Sequence, residues 1–68
     1  MNTTFCTRLK ELRTEKGVSQ KQLAKEIGTS YAAISYWETG VNEPKLSYII
    51  ALCRYFDVTA DYLLGLTD

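Results

Sequence analysis

In the stretch "SQKQLAKEIGTSYAAISYWETG", covering residues 19–40, one residue, Thr29, separates a helix-stopping glycine from a helix-capping serine. Ser19 opens the first half as a capping box: its hydroxyl can accept from the Gln22 amide while the Gln22 side chain returns to the Ser19 amide. Leu23, Ala24 and Ile27 then share one face, and Gly28 supplies the stop. Ser30 caps the second half, Ile34 and Trp37 point inward, and Gly40 ends it. Two short amphipathic helices with so little chain between them must pack against each other across a turn of about three residues. The outer face of the second is left for something else.

The rest of the chain shows the same 3.6-residue period and no sustained period of two, which predicts an all-α fold. A first helix is expected from about Thr4 to Lys16, with Phe5, Leu9 and Leu12 on one face and Gly17 as its stop. "VNEP" reads as a loop, because Pro44 disfavours helix at Glu43. A fourth helix follows over about Leu46 to Phe56, with Leu46, Ile49, Ile50, Cys53 and Phe56 expected toward the core. "DVTADYLLG" reads as a short fifth helix capped by Thr59, with Asp61 near its positive end. No linker, repeat or low-complexity segment interrupts residues 1–68, which read as a single domain. At 68 residues, folding buries only about 60% of the unfolded surface, so the core is small.

Several chemistries are excluded on composition. There is no His, and Cys6 and Cys53 are too few and too far apart for a metal site, so no metal and no cofactor is expected. The two cysteines read as reduced thiols, since a disulfide does not persist in a reducing cytosol. No glycine-rich phosphate loop or convergent acid pair is visible, and the chain does not read as an enzyme. No apolar tract approaches the roughly 18 residues of a membrane span, and the N-terminus lacks a secretory signal. A cytoplasmic location is the expectation. Net charge is zero, but residues 1–37 carry six basic against three acidic side chains, and the remainder two against five. Such a polarised domain can hold a polyanion on one face and keep the other for a different partner.

"RLKELRTEKGVSQKQLAKEIGTSYAAISYWETG", a Pro-containing loop and "LSYIIALCRYFDVTADYLLG" together resemble the phage-repressor (xenobiotic-response-element, XRE) type of helix-turn-helix domain. The likeness covers nearly the whole chain. It implies a compact five-helix, lambda-repressor-like domain whose helix-turn-helix, about residues 19–39, binds double-stranded DNA, and a homodimer on a palindromic operator. Matched residue by residue, Gln20 falls where the family touches a phosphate and braces the recognition helix, with Lys21 beside it. Arg13 and Glu38 fall where the family pairs the first helix with the end of the third. The base-reading positions fall on Tyr31, Ala32, Ser35 and Tyr36, with Ser30 close to the groove and Lys45 facing the DNA backbone.

These reading positions hold no Arg, Lys, Gln or Asn, the side chains that make bidentate contacts to base edges. What they offer is apolar contact to the thymine methyl, single hydroxyl hydrogen bonds, and readout of DNA shape. Tyr48, Tyr55 and Tyr62, with Leu63 and Leu66, form a second apolar surface in the acidic half. The resemblance places the two-fold contact at the last helix, so Tyr55, Tyr62, Leu63 and Leu66 are the expected dimer interface. The expected function is a sequence-specific transcriptional regulator, a repressor acting through the major groove. The alternative is a protein-interaction module or antitoxin-like partner with weak or lost DNA reading, which zero net charge favours.

Overall fold

The computed structural model describes residues 3–67. Met1, Asn2 and Asp68, counted above in the single domain, lie outside the described residues. Five helices follow in chain order: α1 Thr3–Lys16, α2 Gln20–Ile27, α3 Tyr31–Thr39, α4 Leu46–Phe56 and α5 Ala60–Leu64. No strand occurs among the described residues.

The caps form as the side chains dictate. Ser19, Ser30 and Thr59 each accept from a backbone amide three residues on, that of Gln22, Ala33 and Tyr62. Gly28 and Gly40 end α2 and α3 in the left-handed region, at φ 80° and 83°. At Gly28 this lets Thr29 bond back to the Ala24 carbonyl at 2.9 Å, which turns the chain into α3 within three residues. α4 differs at both ends. Lys45 occupies its N-cap with no side-chain hydrogen bond, and Asp57 closes it at φ 55°, a conformation Asp tolerates better than most residues.

Phe5, Leu9, Leu23, Ala24, Ile34, Trp37, Leu52 and Leu63 form the buried core, with at least one residue from every helix. α2 and α3 pack on each other, α1 lies against α3 and α5, and α4 against α2 and α5. Trp37 and Tyr48 lie with ring centroids 5.4 Å apart, which joins α3 to α4. Two expectations for α4 fail. Leu46 and Ile50 are 74% and 45% exposed, and the residue that reaches the centre is Leu52. In "LSYIIALCRYF" the polar Ser47 and Arg54 share one side of the helix, opposite Leu52 and Phe56, and Leu46 and Ile50 flank that polar side rather than the centre of the apolar one. Packing against α2 and α5 turns Tyr48, Ile49, Leu52, Cys53, Tyr55 and Phe56 toward the core.

Candidate nucleic-acid interface

Glu38, in the last turn of α3, is the junction of three helices. Arg13 of α1 donates Nε to Glu38 Oε2 at 2.7 Å and Nη2 to Oε1 at 3.2 Å, a two-pronged fork. Gln20, the first residue of α2, donates Nε2 to Glu38 Oε1 at 3.1 Å. Arg13 Nη1 also donates to the Val18 carbonyl at 3.0 Å, holding the chain that leads into α2. The Glu38 side chain is 3% exposed and that of Arg13 15%, so water competes little for these bonds. The hydrogen bond to Glu38 pushes the Arg13 guanidinium further above its already high value, against an opposing effect of burial. A raised value for a cation means stability present at every pH below it, so Arg13 stays charged throughout the accessible range.

This junction fixes α3 from its inner side and leaves the outer side open. Tyr31 and Tyr36 are 51% and 45% exposed, Ala32 and Ser30 are exposed, and Ser35 is half-buried. Ser30 Oγ accepts the Ala33 amide, and its own O–H remains a donor to the outside. Gln20 spends one N–H on Glu38; a carboxamide has a second N–H and an oxygen with which to meet a phosphate. Lys21 stands with Nζ 5.8 Å from the Tyr31 ring centroid, which couples α2 to α3 on this face. Ser30, Ala32, Tyr36 and Lys45 line one groove of about 320 Å³, together with Thr29 and Asn42 and with Trp37 and Tyr48 along its wall. Tyr31 lies outside that groove, so the two tyrosines serve different parts of the face. Thr29 and Asn42 were passed over in the sequence; their adjacency to Ser30 and to the Pro44 loop was the available signal.

The expected dimer residues are placed otherwise. Leu63 is 0% exposed, a core residue between α1 and α4, and is withdrawn from the interface for that reason. The Tyr62 ring is covered by the Arg8 guanidinium at 4.3 Å, and Arg8 also donates to the Tyr62 and Thr67 carbonyls. Lys16 covers the Tyr55 ring at 4.2 Å and donates to the Tyr55 carbonyl at 3.1 Å. Leu66 alone of the four is broadly exposed, at 71%.

The comparisons with known proteins bear on this arrangement directly. A family model described as helix-turn-helix matches residues 9–63, which contains the Glu38 junction and all of α3. The chain belongs to the XRE-type helix-turn-helix family. It is 38% identical over 64 residues to the uncharacterized HTH-type transcriptional regulator YobD of Bacillus subtilis (strain 168), covering 94% of this chain and 57% of YobD. It is 40% identical over 61 residues to the HTH-type transcriptional activator BcrR of Enterococcus faecalis, covering 90% of this chain and 30% of BcrR. The chain thus spans between about a third and just over half of these relatives' lengths. Among solved structures it is similar to the P22 c2 repressor in complex with a synthetic operator, at 32% identity and a TM-score of 0.83, covering 87% of this chain and 89% of that one. Among the described residues no helix is long and apolar enough to cross a membrane.

Proposed function

We propose that this chain is a sequence-specific DNA-binding transcriptional regulator that acts as a homodimer on a palindromic operator and represses by occupying it. One observation carries the reading: α3 is held on its inner side by the Arg13–Glu38–Gln20 junction while Tyr31, Ala32, Ser35 and Tyr36 look outward. An outer helical face fixed in angle by buried bonds is what insertion into a groove requires. Its nine residues span about 13 Å, enough to lie in the major groove with one short face against base edges. The likeness to a repressor in complex with its operator supports the same reading.

The roles follow from chemistry. Lys21, Lys45 and the second Gln20 N–H supply phosphate contacts, which set register. Ser30 adds a hydroxyl at the start of α3, where the helix amides also favour an anion. Ala32 and the tyrosine rings suit the thymine methyl, and the Ser35 and Tyr hydroxyls make single hydrogen bonds. Base discrimination by such a face is modest and favours T-containing steps, with shape readout supplying part of the rest.

Selection of binding sites from random duplex DNA tests this. Enrichment of a palindrome containing T-rich half-sites is expected, and a pool indistinguishable from random sequence after selection would reject the regulator reading.

A further inference from the structure

We propose that Asn42, in the loop after α3, reads an adenine in the major groove and supplies the bidentate contact that α3 itself lacks. The inference rests on the DNA-binding reading above and names a specificity-determining residue within it. Tyr31, Ala32, Ser35 and Tyr36 carry no carboxamide or guanidinium, so none of them offers two separate atoms to one base edge. A carboxamide does, because its oxygen and NH2 stand side by side and match adenine N6–H and N7. Of the carboxamides among the described residues, Gln20 is bonded to Glu38 and Gln22 lies in α2 outside the groove, whereas Asn42 lines the groove with Ala32 and Tyr36.

The backbone holds Asn42 in place. Gly40, left-handed at φ 83°, and Val41 both donate their amides to the Tyr36 carbonyl, the latter at 2.9 Å, so the chain folds back on the end of α3. Pro44 then fixes φ two residues beyond Asn42. Between these two fixed points Asn42 is exposed, and among the described residues no hydrogen bond takes up its carboxamide. Its neighbours do not compete for the role. Thr39 turns its hydroxyl back to the Ser35 carbonyl at 2.9 Å, Val41 is apolar, and the Glu43 carboxylate has only acceptors.

The composition of the groove favours a base over a phosphate as the partner of Asn42. Ala32, Trp37 and Tyr48 give its wall apolar surface that suits a thymine methyl, and an A·T pair presents that methyl and the adenine N6/N7 edge in the same major groove. Lys45, lining the same groove, supplies the phosphate contact, and the Glu43 carboxylate beside Asn42 opposes a second phosphate there. A carboxamide uses both its donor and its acceptor on adenine, but only its donor on a phosphate. The groove therefore matches an A·T step, with the methyl against the wall and the adenine against Asn42.

Site selection with the wild-type chain fixes the operator, and variants of the full chain then test the contact. Asn42→Ala is expected to lose preference for A at one position of each half-site by about tenfold or more, with the other positions unchanged. Asn42→Asp, an acceptor-only side chain, should move that preference from A toward C, whose N4 donates. Replacing the adenine by 7-deazaadenine removes the N7 acceptor, so wild type should lose affinity on the modified duplex while Asn42→Ala binds both duplexes alike. Equal weakening of Asn42→Ala on every sequence, as from a lost phosphate contact, or equal sensitivity of Asn42→Ala and wild type to 7-deazaadenine would each overturn the assignment. A wild-type pool without enrichment would reject the DNA-binding reading and this contact with it; an enriched wild-type site that Asn42→Ala leaves unaltered would reject the contact alone.

Discussion

Glu38 accepts three hydrogen bonds from two other helices on a side chain almost closed to water. Removing it leaves the Arg13 guanidinium part-buried without its fork, a loss of about 3 kcal/mol in a domain of this size whose whole stability is of order 3–10 kcal/mol. Glu38→Ala should therefore lower the urea midpoint steeply. The double change Arg13→Met, Glu38→Leu should recover most of the loss, because no charge is then stranded; a double variant as unstable as the single one would contradict this account. Glycine substitutions separate conformation from space. At Gly28 a Cβ meets nothing within 4 Å, so Gly28→Ala costs the left-handed backbone alone, about 1 kcal/mol, or roughly 4–8 °C in Tm. At Gly65 the Cβ would also come 2.7 Å from Thr4 Cγ2, so Gly65→Ala should lower Tm further, and equal shifts in thermal melts would refute the distinction. Tyr31→Ala and Tyr36→Ala should relax preference at different base pairs in site selection, since only Tyr36 lines the groove with Lys45. Capping serines and stop glycines were legible in the sequence because their partners lie within a few residues. The covering of Tyr55 and Tyr62 was not, because it depends on which cation of α1 the tertiary packing delivers.

Among the elements, α4 shows where function and stability diverge. Its N-cap is Lys45, a residue that provides no side-chain cap bond, at a place where Ser is worth about 1 kcal/mol more. Lys45→Ser should raise the urea midpoint and at the same time weaken DNA binding by about the same factor on every sequence, with the log-log salt slope less steep by about one per subunit. A variant that lost sequence preference instead would place Lys45 among the base readers. The order and spacing of all five helices were legible because capping residues and stops bound them: Ser19, Ser30 and Thr59 open α2, α3 and α5, Pro44 precedes α4, and glycines follow α1, α2, α3 and α5. The buried face of α4 was legible only in part: Ile49, Cys53 and Phe56 were placed correctly, but Leu46 and Ile50, which share their spacing, sit toward the polar side marked by Ser47 and Arg54. That position leaves Leu46 and Ile50 exposed to solvent.

At the scale of the molecule, the described residues form a body of 28 × 24 × 21 Å, and in a chain of zero net charge the proposed DNA binding has to come from the distribution of charge. Association of a dimer should show a log-log salt slope of roughly −4 to −8, corresponding to about 4 to 9 neutralised phosphates. A slope near zero would leave the basic half without a role in binding. The Arg8 clamp gives this body one more property. It ties the second turn of α1 to the carbonyls of Tyr62 and Thr67, where Gly65 also passes against Thr4. A nascent chain still attached to the ribosome lacks that closure until residue 67 has left the exit tunnel, however early α2 and α3 form. The helix-turn-helix is thus made before the residues that secure it, and a fragment cut short of α5 keeps α2 and α3 but loses the Arg8 clamp, so it should be cleaved faster by a protease than the chain that includes Thr67.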